Sequence, residues 1–336
     1  MKEWVVASPY FETAHDRWIS DSIDSDQHSF TLIPRSGQDR NWHQGGPPRA
    51  TLREWSHRMR QARRAVQRDA DGIITVFPQL AAATASLKML ARNDRPLVSW
   101  FFNTEGLTSV PKRSLAGIPL GRVDRFVVHS TRETESYADL LNLPSERFVY
   151  VPFQYGANIE TEKPEDQDEP FVFATGSGYR DYQTFFEAVE TLGYRTLVLA
   201  SDRVLAGLPV PPNVEILEQI TRPEIRRLVR HARVNVVPLN DGATTAGLVT
   251  IVETFCHGRS LVITDRPGLE DYVFEGKNAL CSRLFDPRSM ADAIEAMWTD
   301  DAQRRELDDA AQRFAQDNCT DEAAGRSLIR ILDAVV

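Results

Sequence analysis

The sequence contains no apolar run close to the roughly 18 residues that cross a bilayer as a helix. Residues 1–4 show no signal-peptide pattern and lead directly into an apolar run. Cysteine is scarce: Cys256, Cys281 and Cys319 are an odd number without metal-ligand spacing, which argues against a disulfide framework or a cysteine-bound metal. We therefore expect a cytoplasmic protein with reduced thiols.

Positive charge is also in deficit. The 39 Lys and Arg residues against 48 Asp and Glu residues give a net charge of −9, which argues against nucleic acid as a general partner. Internal repeats are absent, and an acidic stretch at 159–170 is the one biased segment.

What is present is a chain of 336 residues, long enough for two domains of about 150 residues each. Short apolar runs alternate with helical patterns, which predicts an α/β fold. The predicted strands are 4–7, 72–77, 97–102, 123–129, 147–152, 171–175, 196–201, 214–217, 234–239 and 260–264. The predicted helices are 51–69, 79–91, 222–232, 287–298, 301–317 and 321–336.

The most informative stretch is 236–265, where a strand, a loop of small polar residues, a helix and a second strand follow one another. The helix is indicated by apolar residues at three- and four-residue spacing, namely Leu248, Ile251, Val252 and Phe255. Open α/β sheets bind ligands at the carboxyl ends of their strands, and backbone N–H groups near 245–247 would face an anion there. Glu253 lies within this helix. It is either a solvated surface charge, which the pattern alone favours, or a carboxylate that accepts hydroxyl hydrogen bonds in a cleft.

The segment Thr245–Gly258, TAGLVTIVETFCHG, resembles the nucleotide-sugar site of GT-B glycosyltransferases, in particular glycosyltransferase family 4, the glycosyl transferases group 1. Segments 268–273 and 276–280 resemble the downstream motifs of that family. The resemblance covers residues 120–315 well and the first 120 weakly. It implies an α/β GT-B architecture, in which two Rossmann-like, doubly wound domains face a central cleft.

The same resemblance gives the domain boundaries that we expect. An N-terminal Rossmann-like acceptor domain spans 1–157, and an acidic linker spans 158–170. A C-terminal Rossmann-like donor domain for the nucleotide sugar spans 171–318, and a final helix, 319–336, crosses back to the first domain.

The expected donor site follows from the family's motifs. A glycine loop between a strand and a helix lets backbone approach phosphate, and Arg180 adds a fixed positive charge. The resemblance implies that Glu253 binds the donor ribose and that Gln219 and Ile220 contact the base. The diphosphate and sugar would be bound by Gly176, Ser177, Gly178, Arg180, Thr245, Ala246, Gly247 and Leu248. Two departures leave the sugar contacts open: Thr245 replaces a glutamate of many members, and the glycine loop lacks a lysine.

The candidate catalytic residues are Asn103, His129 and Thr245. Asn103 and Glu105 follow a predicted strand, either as contacts to acceptor or donor or as an ordinary capping loop. His129 ends the next strand, either in the cleft or as a structural histidine. His15 and Asp16 serve either acceptor binding or a helix start.

The predicted helix at 51–69 is the most basic segment of this acidic protein. Its apolar residues Leu52, Trp55, Met59, Ala62 and Val66 share one face, and arginines occupy the rest. The helix either packs this stripe against the core with a solvated arginine face, which its narrowness favours, or contacts an anionic membrane surface peripherally, at the inner membrane face.

By resemblance, the expected activity is transfer of a sugar from a UDP- or GDP-linked donor to an acceptor hydroxyl on a glycan, a lipid-linked molecule or a small molecule. Such enzymes make glycans, glycolipids, polysaccharides or secondary metabolites. Retention at the anomeric carbon is implied, and neither cofactor nor metal is expected, since no Asp-x-Asp motif has a convincing sheet context. The alternatives are a nucleotide-sugar epimerase or hydrolase, or an inactive GT-B scaffold.

Overall fold

The computed structural model describes residues 1–37, 51–104, 116–156, 169–242 and 245–335. The chain forms two compact units, the first of Met1–Val151 with Ala324–Val336 and the second of Pro152–Ala323. The predicted linker at 158–170 lies outside the described residues except for its last two positions, and Glu105 lies outside them as well.

The first unit contains a parallel sheet of six strands in the order β2-β1-β3-β4-β5-β6. The strands are β1 Lys2–Ala7, β2 His28–Ile33, β3 Gly72–Val76, β4 Leu97–Trp100, β5 Arg125–Val128 and β6 Phe148–Tyr150. The helices named here are α1 Leu52–Gln67, α2 Pro78–Ala91 and α3 Thr131–Leu141. Strands β3 and β4 are buried along their whole length, as expected of continuous apolar runs in a parallel sheet.

The second unit contains another parallel sheet, in the order β12-β11-β10-β7-β8-β9. Its strands are β7 Val172–Thr175, β8 Thr196–Leu199, β9 Val214–Ile216, β10 Val234–Val237, β11 Leu261–Thr264 and β12 Ala279–Ser282. Its helices are α4 Tyr182–Leu192, α5 Asp202–Leu205, α6 Arg222–His231, α7 Leu248–Cys256, α8 Pro287–Thr299 and α9 Asp301–Asn318. A last helix, α10 Asp321–Asp333, contributes Leu328 and Leu332 to the core of the first unit, beside Trp4.

Strands β2 and β12, each at the edge of its sheet, have no counterparts among the predicted strands. Strand β12 has only four residues. The middle residues of β2 are only half-buried, so β2 lacks the continuous apolar run that identifies its neighbours. Its first residue, His28, is buried, and its ring accepts a hydrogen bond from the Trp4 indole and contacts the Asp333 carboxylate at 2.9 Å.

Helix α1 corrects the packing that we favoured from its sequence. Leu52, Trp55 and Met59 face outward, and Leu52 is 90% exposed. The inward face consists of small and long polar side chains instead: Ala62 and Ala65 lie against the core, and Gln61 donates to the Ser8 and Ile33 carbonyl oxygens. Of the predicted apolar stripe, Ala62 and Val66 therefore pack against the core, whereas Leu52, Trp55 and Met59 are exposed. No helix of the described part of the chain is both long and apolar enough to span a bilayer.

Candidate functional site

The loop that follows β7 is built around the side chain of Arg180. Gly176 has a φ of +108°, and a Cβ on it would lie 2.6 Å from the Arg180 guanidinium, so only glycine fits. Arg180 itself is buried, and its guanidinium donates to the carbonyl oxygens of Thr175 and Gly178 at 3.3 and 2.8 Å. Gly178, by contrast, is exposed with open space at its Cβ position. The arginine thus clamps the glycine loop from its inner side.

Arg180 also joins this loop to helix α7, the helix of the stretch that contains Glu253. Its guanidinium donates to the Thr250 hydroxyl at 3.1 Å, in the first turn of the helix. Helix α7 begins after Gly247, which has a φ of +89° and provides no side-chain cap. Backbone N–H groups at such a helix start attract anions. The glycine loop and this helix start therefore come together at the carboxyl ends of β7 and β10.

A second buried arginine, Arg266, lies in the same region and was not among the sequence-predicted residues. It follows β11, and its guanidinium donates to the carbonyl oxygens of Asn240, at 2.9 Å, and Gly242 in the loop after β10. Burial lowers the pKa of Arg180, and repulsion from Arg266 lowers it further. Two guanidinium groups that repel each other create a positive potential suited to an anionic group.

Thr245, Ala246 and Leu248, which were predicted to contact the donor, lie at the start of α7. Ala246 and Leu248 are buried in the core against β10, while Thr245 is half-buried and approaches Gly268, whose φ is +100°. Gln219 and Ile220 lie after β9, which is two strands away from β7 in the sheet. Gln219 is exposed and adopts a φ of +54°.

Glu253 is half-buried on α7 rather than solvated, which corrects the interpretation that the pattern alone favoured. One carboxylate oxygen accepts a 2.5 Å hydrogen bond from the phenol of Tyr155. Tyr155, which sequence reasoning missed, packs edge-on against His257 with ring centroids 5.8 Å apart, and the Arg226 guanidinium lies 5.9 Å from its ring. Burial and the Glu253 charge raise the pKa of Tyr155, so the phenol is a donor at neutral pH.

Asn103 and His129 belong to the first unit, after β4 and β5, and Asn103 is half-buried. The His129 ring is buried and contacts the Val151 carbonyl oxygen at 2.8 Å. Burial lowers the pKa of His129 to about 4, so the imidazole is neutral at pH 7. It continues a row of rings with Phe101, Phe77 and Tyr10, whose successive centroids are 4.6, 5.8 and 5.3 Å apart.

Both phenylalanines of this row adopt left-handed backbone angles, with φ of 75° for Phe77 and 53° for Phe101. Such angles cost free energy in a non-glycine residue and cluster at functional sites. Among the described residues, no group of three or more His, Cys, Asp or Glu side chains could hold a metal ion.

Comparison with known proteins identifies a similar sequence pattern and similar folds. Residues 177–300 match the family model described as Glycosyl transferases group 1. None of the curated proteins matches the sequence. The fold is similar to those of HepE from Anabaena, solved with UDP and glucose (TM-score 0.68, 12% identity, 99% of this chain and 100% of that one), and sucrose-phosphate synthase from Thermosynechococcus elongatus (TM-score 0.70, 14% identity, all of both chains). It is also similar to the lipopolysaccharide outer core galactosyltransferase WaaB (TM-score 0.65, 9% identity, 99% of this chain and 100% of that one).

These similarities confirm the predicted fold class, with two α/β units that each contain a parallel sheet. The Gly176–Arg180 loop, helix α7 and Arg266 belong almost entirely to the matched segment. The chain therefore has the GT-B fold, and its residues 177–300 carry the sequence pattern of the glycosyl transferases group 1.

Proposed function

We propose that the protein transfers a sugar from a nucleoside diphosphate sugar to an acceptor hydroxyl. The observation that carries this proposal is the hydrogen bond from Arg180 to Thr250, because it joins a glycine loop to an uncapped helix start within the family-matched segment. Together these features supply backbone N–H groups and fixed positive charge to one diphosphate.

The chemistry follows from the leaving group. The bond between the anomeric carbon and the diphosphate oxygen breaks, a bond forms between the acceptor oxygen and the anomeric carbon, and the proton of the acceptor hydroxyl passes to the departing diphosphate. Negative charge grows on the diphosphate, where the helix start and the guanidinium groups of Arg180 and Arg266 stabilise it. We propose that this transfer is independent of metal and retains the anomeric configuration; the proposal of retention rests on the family resemblance alone.

For the donor, we propose a UDP-linked sugar first and a GDP-linked sugar second. HepE, whose fold this chain shares, has been solved with UDP and with UDP-glucose. In this proposal Glu253 accepts hydrogen bonds from the ribose, and backbone at Gln219 and Ile220 contacts the base. Thr245 lies beside the transferred sugar.

For the acceptor, we propose the edge of the first unit where Asn103 and His129 follow their strands. The row of rings that ends at Tyr10 offers flat apolar surface, and Tyr10 is 61% exposed. An aromatic surface with a few polar groups suits the carbohydrate part of a glycan or a lipid-linked acceptor. Asn103 would orient the acceptor hydroxyl, and the buried His129 would act through the Phe101 ring that it packs against.

We also propose that the outward face of α1 contacts an anionic membrane surface at the inner face of the cytoplasmic membrane. Exposed Leu52, Trp55 and Met59 occupy neighbouring positions on this face. They are flanked by exposed arginines: Arg53, Arg60, Arg63 and Arg64. An apolar strip bordered by arginines is typical of helices that lie in the membrane interface.

Co-sedimentation with vesicles tests the membrane contact. We expect binding to phosphatidylglycerol-containing vesicles and none to pure phosphatidylcholine. The double variant Arg60→Gln/Arg63→Gln should bind about 30-fold more weakly, since each basic residue contributes about 1 kcal/mol. Arg132→Gln/Arg305→Gln, which removes two exposed arginines outside α1, is the matched control. Equal binding to both vesicle types, or none to either, would contradict the contact.

Thermal unfolding with a panel of UDP-, GDP-, ADP- and dTDP-sugars tests the donor. A donor at 100 times its Kd adds about 2.7 kcal/mol, which for a domain of this size is a Tm rise of about 5–10 °C. The rise should occur with one nucleotide and shrink in Glu253→Gln. It should persist in Glu190→Gln, which alters an exposed carboxylate in the last turn of α4. No rise with any donor would favour an inactive scaffold, and interconversion of free nucleotide sugars would favour an epimerase.

A further inference from the structure

The Tyr155 phenol donates a hydrogen bond to Glu253, the residue that we assign to the ribose of the nucleotide. Tyr155 belongs to the first residues of the second unit, 98 positions before Glu253 in the sequence. The phenol reaches one carboxylate oxygen at 2.5 Å, and both side chains are half-buried. A carboxylate offers about four acceptor sites, so this bond leaves the second oxygen available to other donors.

The position of Tyr155 is itself fixed by the end of helix α9. Its backbone N–H donates to the Cys319 carbonyl oxygen at 3.0 Å, and the next residue, Gly156, forms a bridge with Thr320. The ring lies edge-on to the buried His257. A phenol held at both its backbone and its ring restricts the rotamers of the carboxylate that it contacts, which reduces the entropy lost when a ligand binds.

We propose that Tyr155 is a positioning residue that holds Glu253 in the rotamer needed to accept the two ribose hydroxyls of the donor nucleotide. This inference rests on the proposed function, because it assigns Glu253 to the ribose. Tyr155 acts through Glu253 and does not itself touch the nucleotide. Its phenol stays protonated at neutral pH because burial and the neighbouring carboxylate raise its pKa.

The test compares nucleotides that differ only in the two ribose hydroxyls. UDP, GDP and ADP are each titrated into the full-length protein by calorimetry beside their 2′,3′-dideoxy counterparts. For the nucleotide that binds, Tyr155→Phe should raise the Kd about tenfold, since hydrogen bonds to charged groups are among the stronger ones. The same variant should change the Kd of the dideoxy nucleotide less than about twofold.

A matched control separates positioning from general loosening of the fold. Tyr194→Phe removes a bond of the same kind from the same unit, because the Tyr194 phenol donates to the Glu295 carboxylate at 2.5 Å. It should leave the Kd of both nucleotides within about twofold of the unaltered protein.

The outcomes distinguish the two proposals. If Tyr155→Phe weakens both nucleotides equally, or neither, the positioning role is overturned while the donor site stands. If Glu253→Gln raises the Kd of UDP and of its dideoxy form by the same factor, or does so for the corresponding pair of the base that binds, the ribose assignment is wrong. If none of the three nucleotides binds the unaltered protein, the proposed function itself fails.

Discussion

Alanine substitutions at Gly176 and Gly178 test whether the Arg180 side chain holds the glycine loop in its conformation, because only the first would clash with that side chain. In Gly176→Ala the new Cβ would meet the Arg180 guanidinium at 2.6 Å, on a backbone with a φ of +108°. A non-glycine residue in such a region costs about 1–3 kcal/mol. The guanidinium is buried among loop and helix atoms, so it can relieve the clash only by breaking its own hydrogen bonds.

Moving Arg180 forfeits its bonds to Thr175, Gly178 and Thr250, each worth about 1 kcal/mol. We therefore expect Gly176→Ala to lower the free energy of unfolding of the second unit by about 4–6 kcal/mol. Gly178→Ala, at an exposed position with open space, should stay within about 0.5 kcal/mol of the unaltered protein.

Urea unfolding gives the free energies, and nucleotide titration of each folded variant gives the effect on binding. Gly176→Ala should weaken binding of the nucleotide that the donor panel identifies, because it displaces both the loop and the cation behind it. Equal losses in the free energy of unfolding of the two alanine variants would show that the Arg180 side chain does not hold the glycine loop in place.

Three further outcomes follow from buried groups. Asp308→Ala should cost about 3–5 kcal/mol in urea unfolding, because it removes the carboxylate that lies 3.2 Å from the buried Arg259 guanidinium and that accepts the Ser260 N–H and hydroxyl; a loss below about 1 kcal/mol would contradict this. The native pKa of His129, about 4, lies below its ordinary 6.5, so the unfolded chain binds the proton first and stability falls as pH drops from 6.5 to 4. His129→Phe should flatten that part of the stability curve, and an unchanged slope would refute it. Burial raises the pKa of Cys319 to about 12, and that of Cys256 as well, so iodoacetamide at pH 8 should alkylate both only after denaturation.

The alternation of strands and helices was predictable because buried parallel strands leave a local signal. Residues 234–237 and 261–264 read as short apolar runs between polar loops, and both are fully buried strands. Strands β2 and β12 were missed because an edge strand needs no such run. The exposure of Leu52, Trp55 and Met59 on α1 was missed because periodicity reports the spacing of apolar residues and not how much of a stripe the protein covers.

Residues of the candidate site were likewise predictable only where their signal is local in sequence. Glycine spacing in 176–178 and the small residues before Leu248 predicted where backbone could approach a phosphate, because these features are local in sequence. The bond from Arg180 to Thr250 spans 70 positions, and the contacts of Arg266 and Tyr155 span 26 and 98. Contacts between residues so far apart in the sequence produce no local sequence pattern, so the fold was needed to identify them.

The central claim is that a nucleoside diphosphate binds where the glycine loop meets the start of helix α7. Hydrogen exchange of backbone amides, with and without the nucleotide that the panel identifies, tests this location directly. We predict slower exchange in peptides that contain 176–182 and 245–256, because the bound diphosphate accepts hydrogen bonds from those N–H groups. Unchanged exchange in both segments at a saturating nucleotide concentration, or protection confined to the first unit, would contradict the account.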